Sequence, residues 1–138
     1  MKFYAIEPEV SGELGSDTSL DRNSHPPVVT KLHYEFQGWL GDELVESFPC
    51  YLVSKRLQDV IEKGKFSGAK FADVKITLSP EFRTLQPDAK LPVFVWLQVI
   101  GTPGKDDFSL SADFRLVISD RALNTLNLKH TRIEDYVS

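Results

Sequence analysis

Apolar positions along this chain alternate between strand-like and short helical spacings, and one combination occurs twice. The run Cys50-Tyr51-Leu52-Val53 ends at Ser54, after which Leu57, Val60 and Ile61 recur at helical spacing as far as Gly64. Ser54 is placed to accept an N–H of the first helical turn, and Gly64 suits the helix end. Lys55, Arg56, Gln58, Asp59, Glu62 and Lys63 are left for water. Phe71 to Leu78 then alternates, with Val74, Ile76 and Leu78 on one face of a strand. The end of the chain reads alike: Leu116-Val117-Ile118, Ser119 as cap, and a short helix through Ala122, Leu123 and Leu126. Asp120 in the first turn suits the helix dipole, Asn124 and Asn127 weaken the helix, and His130 to Tyr136 returns to an extended pattern. Strand, serine, helix, strand is therefore a weak internal repeat.

Elsewhere the pattern predicts further strands. Phe3 to Ile6 reads as a first strand, stopped by Pro8 and suited to a sheet edge. Glu7 to Thr30 is polar, with sparse Val10, Leu14 and Leu20 and the extended His25-Pro26-Pro27, so 7–30 is expected to be one long loop, flexible or used for contact. Leu32, Tyr34 and Phe36 alternate with His33, Glu35 and Gln37. A Gly41-Asp42 turn into Leu44, Glu46 and Phe48 makes Leu32 to Phe48 a candidate hairpin, with Gly38 allowing a bulge near Trp39. Pro80 to Leu91 reads as a polar connection. Val93 to Ile100 is the longest apolar run and predicts a central strand buried on both faces. Gly101 to Gly104 is a turn, and Phe108 to Phe114 an alternating or mixed segment. The expected fold is α+β: one domain over residues 1–138, a mostly antiparallel twisted sheet packed by two short helices.

Composition narrows the function classes. The 138 residues are 41% hydrophobic and 26% charged, ample for one core. A net charge of −4 opposes binding to phosphate backbones, so no nucleic-acid partner is expected. The single cysteine, Cys50, excludes an internal disulfide and a thiolate zinc cluster, and points to a reducing compartment. The opening Met1 to Glu7 is too short for a signal peptide, and no segment approaches the roughly 18 apolar residues of a membrane span. The chain is expected to be cytoplasmic and soluble, with no membrane partner.

Candidate chemistry is sparse. His25, His33 and His130 lack partners at metal-site or nucleophilic-relay spacing. Cys50 sits in an apolar strand, where a free thiol acts as a small hydrophobe. Gly101 and Gly104 do not form a phosphate-binding pattern, so no cofactor is expected. Asp106, Asp107 and Asp113 form an acidic group suited to basic side chains, and an exposed Trp39 beside the hairpin turn is a candidate interface anchor.

The segments Gly104-Lys105-Asp106-Asp107-Phe108 and Arg115 to Leu123, with Tyr51-Leu52-Val53-Ser54, resemble small bacterial immunity proteins of polymorphic toxin systems. In that group an acidic-aromatic turn precedes a strand, and a strand ending in Ser opens a short helix. The likeness covers mainly the region from Leu32 onward, and the paired cysteines of some relatives are missing here. It implies a non-catalytic cytoplasmic protein that binds and neutralises a cognate toxin. With the acidic balance, the expected partner is a basic protein toxin, met by Asp42, Glu43, Asp106, Asp107 and Asp113 with Trp39 as apolar anchor. The alternatives are a small enzyme pairing His33 or His130 with a carboxylate such as Asp113, and a structural, oligomerising domain using an open sheet edge.

Overall fold

The computed structural model describes residues 2–136. In chain order its elements are Phe3–Glu7 (β1), Gly12–Leu14 (β2), Ser19–Asp21 (β3), Val28–Lys31 (β4), His33–Phe36 (β5), Leu44–Ser47 (β6), Cys50–Ser54 (β7), Lys55–Lys63 (α1), Ala69–Ala72 (β8), Lys75–Leu78 (β9), Pro80–Leu85 (α2), Phe94–Val99 (β10), Phe108–Leu110 (β11), Leu116–Ser119 (β12), Asp120–Leu126 (α3) and Arg132–Asp135 (β13). Every strand ladder is antiparallel except β5 with β9. The fold is α+β, as the pattern predicts, but the strands divide among several sheets.

Two of those sheets repeat one design. Their strand orders are β6-β7-β10-β8 and β11-β12-β1-β13. In each, the second strand ends at a serine that caps a helix. Ser54 lies opposite Phe94 and Leu52 opposite Trp96; Ser119 lies opposite Phe3 and Val117 opposite Ala5, the same register. The helices bury the third and seventh residues after the serine, Leu57 and Ile61 in α1, Ala122 and Leu126 in α3. The first strand of each order is also bridged by the other unit's third strand running on past its end: Glu9 meets Val45 of β6, and Gly101 meets Ser109 of β11, both parallel. The duplicated units therefore interlock around one core, where Leu57 and Ile61 join Ala122, Leu126, Leu116 and Ile118.

Alternation along β7 splits its side chains between two cores. Tyr51 and Val53 face the shared core, while Cys50 and Leu52 face a second one with Phe94 and Trp96 of β10. The β2-β5-β9 sheet covers that second face with Leu32, Tyr34 and Phe36, and α2 adds Phe82. Phe36 packs against Phe94 at a centroid distance of 5.3 Å and edge-on to Phe82 at 6.5 Å.

Several local expectations are corrected. Leu32 to Phe48 is not a hairpin: β5 pairs with β2 and β9, while β6 turns through Phe48 and Pro49 onto β7. The stretch around Gly41-Asp42 is instead tied to distant backbone, as described below. Phe71 to Leu78 is two strands, because the chain leaves β10 after Ala72 and joins β5 from Lys75. Val74, Ile76 and Leu78 nevertheless line one core. β1 is interior, between β12 and β13. A third helix, α2, occupies the stretch read as a polar connection. Ser79 caps it, Pro80 starts it, and Phe82 is its single buried residue, too little for a periodic signal. Residues 7–30 hold β2, β3 and the Glu9 bridge rather than loop alone. β10 is interior, yet Val93 and Ile100 at the ends of the apolar run are exposed.

Candidate functional site

All five candidate acids are engaged within the chain. In each repeat unit an acid precedes the edge strand, and its carbonyl accepts the N–H of the capping serine at 2.9 Å, Glu43 from Ser54 and Asp107 from Ser119. Its carboxylate accepts the serine hydroxyl at 2.6 Å in both units. The arginine two residues beyond the serine completes the clamp: Arg56 Nε donates to Glu43 Oε1 at 2.8 Å, and an Arg121 amine donates to Asp107 Oδ2 at 3.0 Å. Asp107 also accepts the Ser67 N–H at 2.9 Å. Burial opposes the charge on Asp107, but its donors Ser119, Ser67 and Arg121 prevail and hold its pKa below the ordinary carboxylate value. Arg56 does the same for the more open Glu43.

Asp42 is buried, and its carboxylate collects the backbone of the segment after α3. It accepts the N–H of His130 at 2.7 Å and of Lys129 at 3.0 Å, with the Thr131 hydroxyl at 3.0 Å. Glu9, also buried, ties the same turn from the other side through the N–H groups of Leu40 at 2.8 Å and Asp42 at 3.1 Å. Asp42 and Asp107 are thus not surface acids, contrary to expectation. Asp106 binds the N–H of Thr102 at 2.7 Å within its own turn. Asp113 is exposed and accepts the Ser111 hydroxyl, which lowers its pKa. Trp39 is half-buried rather than exposed. Its indole N–H donates to the Asp42 carbonyl at 2.8 Å, and its ring packs edge-on to Phe94.

The histidines divide. His33 is buried, with Nδ1 accepting the Asp17 N–H at 3.2 Å and Nε2 lying 2.8 Å from Thr77 Oγ1, so Nε2 carries the proton. Nε2 thereby joins β5 to β9, and Nδ1 joins β5 to the turn between β2 and β3. His25 packs edge-on to Phe114 at 5.4 Å. His130 and Asp113 both line one groove. Burial pushes the Cys50 thiol up to about 12, which suits a packing residue.

That groove, of about 630 Å³, opens at one end of the shared core. Ile6, Tyr51 and Leu116 contribute core side chains to its lining, and Val10, Phe48, Phe114, Arg115, His130 and Arg132 also border it. Val10 is 68% exposed and Phe48 50%. Glu46 projects from β6 into this setting, opposite Tyr51. Burial, and then the charge of Glu7, pushes its pKa up to about 7. Its carboxylate has no hydrogen-bond or ion-pair partner among the described residues. Sequence reading passed over Glu46 as one position of an alternating strand. The signal lay in the repeat: aligned from the clamp acids, Glu43-Leu44-Val45-Glu46 stands beside Asp107-Phe108-Ser109-Leu110. Leu110 packs on the core, so Glu46 occupies a position that its counterpart fills with an apolar side chain.

Among the described residues, no cluster of His, Cys, Asp and Glu is arranged to hold a metal, and no helix is long and apolar enough to cross a membrane. No protein-family model matches the chain, and no curated protein matches it.

Proposed function

We propose that this protein is a non-catalytic binding module of the immunity type, which neutralises a cognate bacterial toxin by docking on it. The observation that carries the reading is the open groove at the end of the shared core, where exposed Val10 and Phe48 stand beside a partly buried, unpaired Glu46. Apolar side chains around an unsatisfied polar group are the composition of a contact centre. The interlocked repeat supplies a rigid frame for it, so partner binding needs little rearrangement. This moves the contact surface from the clamp acids to the groove.

The test is affinity capture from source lysate with the tagged protein and with Phe48→Asp, followed by cross-linking mass spectrometry. The expected outcome is one protein at equal stoichiometry, cross-linked near the groove and lost with the variant. No stoichiometric partner, or capture indifferent to Phe48→Asp, would overturn the reading.

A second reading, a small enzyme, draws on the shared placement of His130 and Asp113 along the groove. It requires their titrations to be coupled. A His130 NMR titration unchanged by Asp113→Asn would remove it.

A further inference from the structure

The internal repeat supplies a reference for judging which residues the fold itself requires. At position 110 the scaffold uses Leu, paired across the strands with Leu116; at position 46 it uses Glu, paired with Tyr51 in the equivalent place. A carboxylate half out of water beside Ile6, Tyr51 and Leu116 is unfavourable unless something satisfies it. The fold does not call for it, as Leu110 shows.

The charges around the groove decide what would satisfy it. Arg115 and Arg132 are both paired with Glu134, at 3.0 Å and 3.3 Å, the Arg115 contact running through its terminal amine while its buried Nε has no hydrogen-bond partner among the described residues. Asp113 is bonded to Ser111. Glu7 and Glu46 have no ion-pair partner among the described residues, and His130 is exposed at the rim. The unanswered charge is therefore negative, and Phe48, Tyr51 and Phe114 line the same space. Carboxylates beside aromatic side chains match a guanidinium better than a compact ammonium, since the planar group pairs bidentately and stacks. The volume lies within the range of ordinary ligand sites, roughly 300–1,000 Å³.

We propose that the groove receives an arginine side chain of the partner protein, with Glu46 as its ion-pair acceptor, Glu7 as a second acceptor, and Phe48, Tyr51 and Phe114 around the guanidinium. This rests on the binding reading above and specifies what the partner inserts.

The experiment titrates the isotopically labelled full chain with N-acetyl-arginine methylamide, the lysine and norleucine analogues serving as controls, and follows amide shifts by NMR at pH 8. The expected result is a saturable set of shifts confined to residues around Glu46, Tyr51 and Leu116, strongest for arginine and lost in Glu46→Leu and Glu46→Gln. Shifts of equal size with norleucine would make the groove a purely apolar site. Shifts that persist in Glu46→Leu, or that fall elsewhere, would also overturn the proposal, as would the absence of saturable shifts in the wild type. The same two variants in the lysate capture separate this inference from the function. If wild type and Glu46→Leu hold the partner equally, the arginine site is wrong and the binding role stands. If the wild type captures no partner while the arginine probe saturates the groove, the binding role fails and the site remains.

Discussion

Ser54 and Ser119 hold the same bonds in the two halves of the molecule: each hydroxyl accepts from its helix, at 3.1 Å from Leu57 N–H and 3.2 Å from Ala122 N–H, and donates at 2.6 Å to an acid ahead of the edge strand. One oxygen thereby joins a helix start, a strand end and a carboxylate. Replacing either serine by Ala removes the cap and one donor to the acid. Each replacement is expected to cost about 2 kcal/mol, the upper end of the capping range. Ser119→Ala should be the more damaging, because Asp107 is buried while Glu43 remains partly open to water. Thermal melts of the two variants would check the ranking.

The same clamps set the acid limit of the fold. Glu43 and Asp107 titrate below their ordinary values, so their contribution is complete above the unfolded-state pKa and is lost as pH falls through the folded one. Denaturant midpoints should fall below about pH 4, and the Asp107→Asn variant should lose less over that range than the wild type.

Glu46 works in the opposite sense. Its pKa is raised from 4.5 to about 7, so between those values the folded chain binds the proton more tightly than the unfolded one. Stability from this group is present below about pH 4.5 and declines as pH rises to about 7. Glu46→Leu, which installs the residue of the other repeat unit, should flatten that decline. It should also raise stability at pH 8 by about 1–2 kcal/mol, allowing for the partial exposure of the carboxylate. Denaturant unfolding of both proteins at pH 5 and pH 8 measures this. A variant that gains stability while losing a ligand is the pattern of a residue kept for function rather than folding.

Asp42 is expected to act as a long-range tie. Its carboxylate is 3% exposed and accepts backbone from Lys129 and His130, nearly ninety positions later. Asp42→Ala would leave those donors without their acceptor and cost about 2–3 kcal/mol. Hydrogen exchange should quicken first at Lys129 and His130, ahead of the strands of the shared core.

The repeat was legible because serine caps and apolar spacing are local signals: Ser54 with Leu57 and Ile61, Ser119 with Ala122 and Leu126. Sheet membership was not, since whether Lys75 to Leu78 continues along β10 or crosses to β5 depends on contacts far apart in the chain. The acids show the same divide. Asp42, Glu43 and Asp107 read as surface charges because sequence exposes a carboxylate's type but not its donors, which come from residues such as His130, Arg56 and Ser119. Glu46 was hidden for the reverse reason: it looked ordinary in its strand, and only its structural counterpart Leu110 marks it as out of place.

The corner joining the two units is the last point at which the structure commits to a sharp outcome. Gly68 and Gly101 lie back to back under β11, and a Cβ on either would meet the Phe108 carbonyl oxygen at 2.1 Å. The two obstacles differ. Gly101 is limited by space alone, whereas Gly68 also holds φ +90, a conformation L side chains rarely adopt. In both cases the obstructing atom is backbone, whose displacement would disturb the Gly101–Ser109 bridge between the units. Alanine at either position should therefore destabilise by about 2–4 kcal/mol, with Gly68→Ala the worse of the two. Gly104, also at positive φ but with open space around a Cβ, is the control: alanine there brings backbone strain without the clash and should cost only about 1 kcal/mol. A loss for Gly101→Ala no larger than that for Gly104→Ala in thermal melts would mean that close approach does not govern the corner.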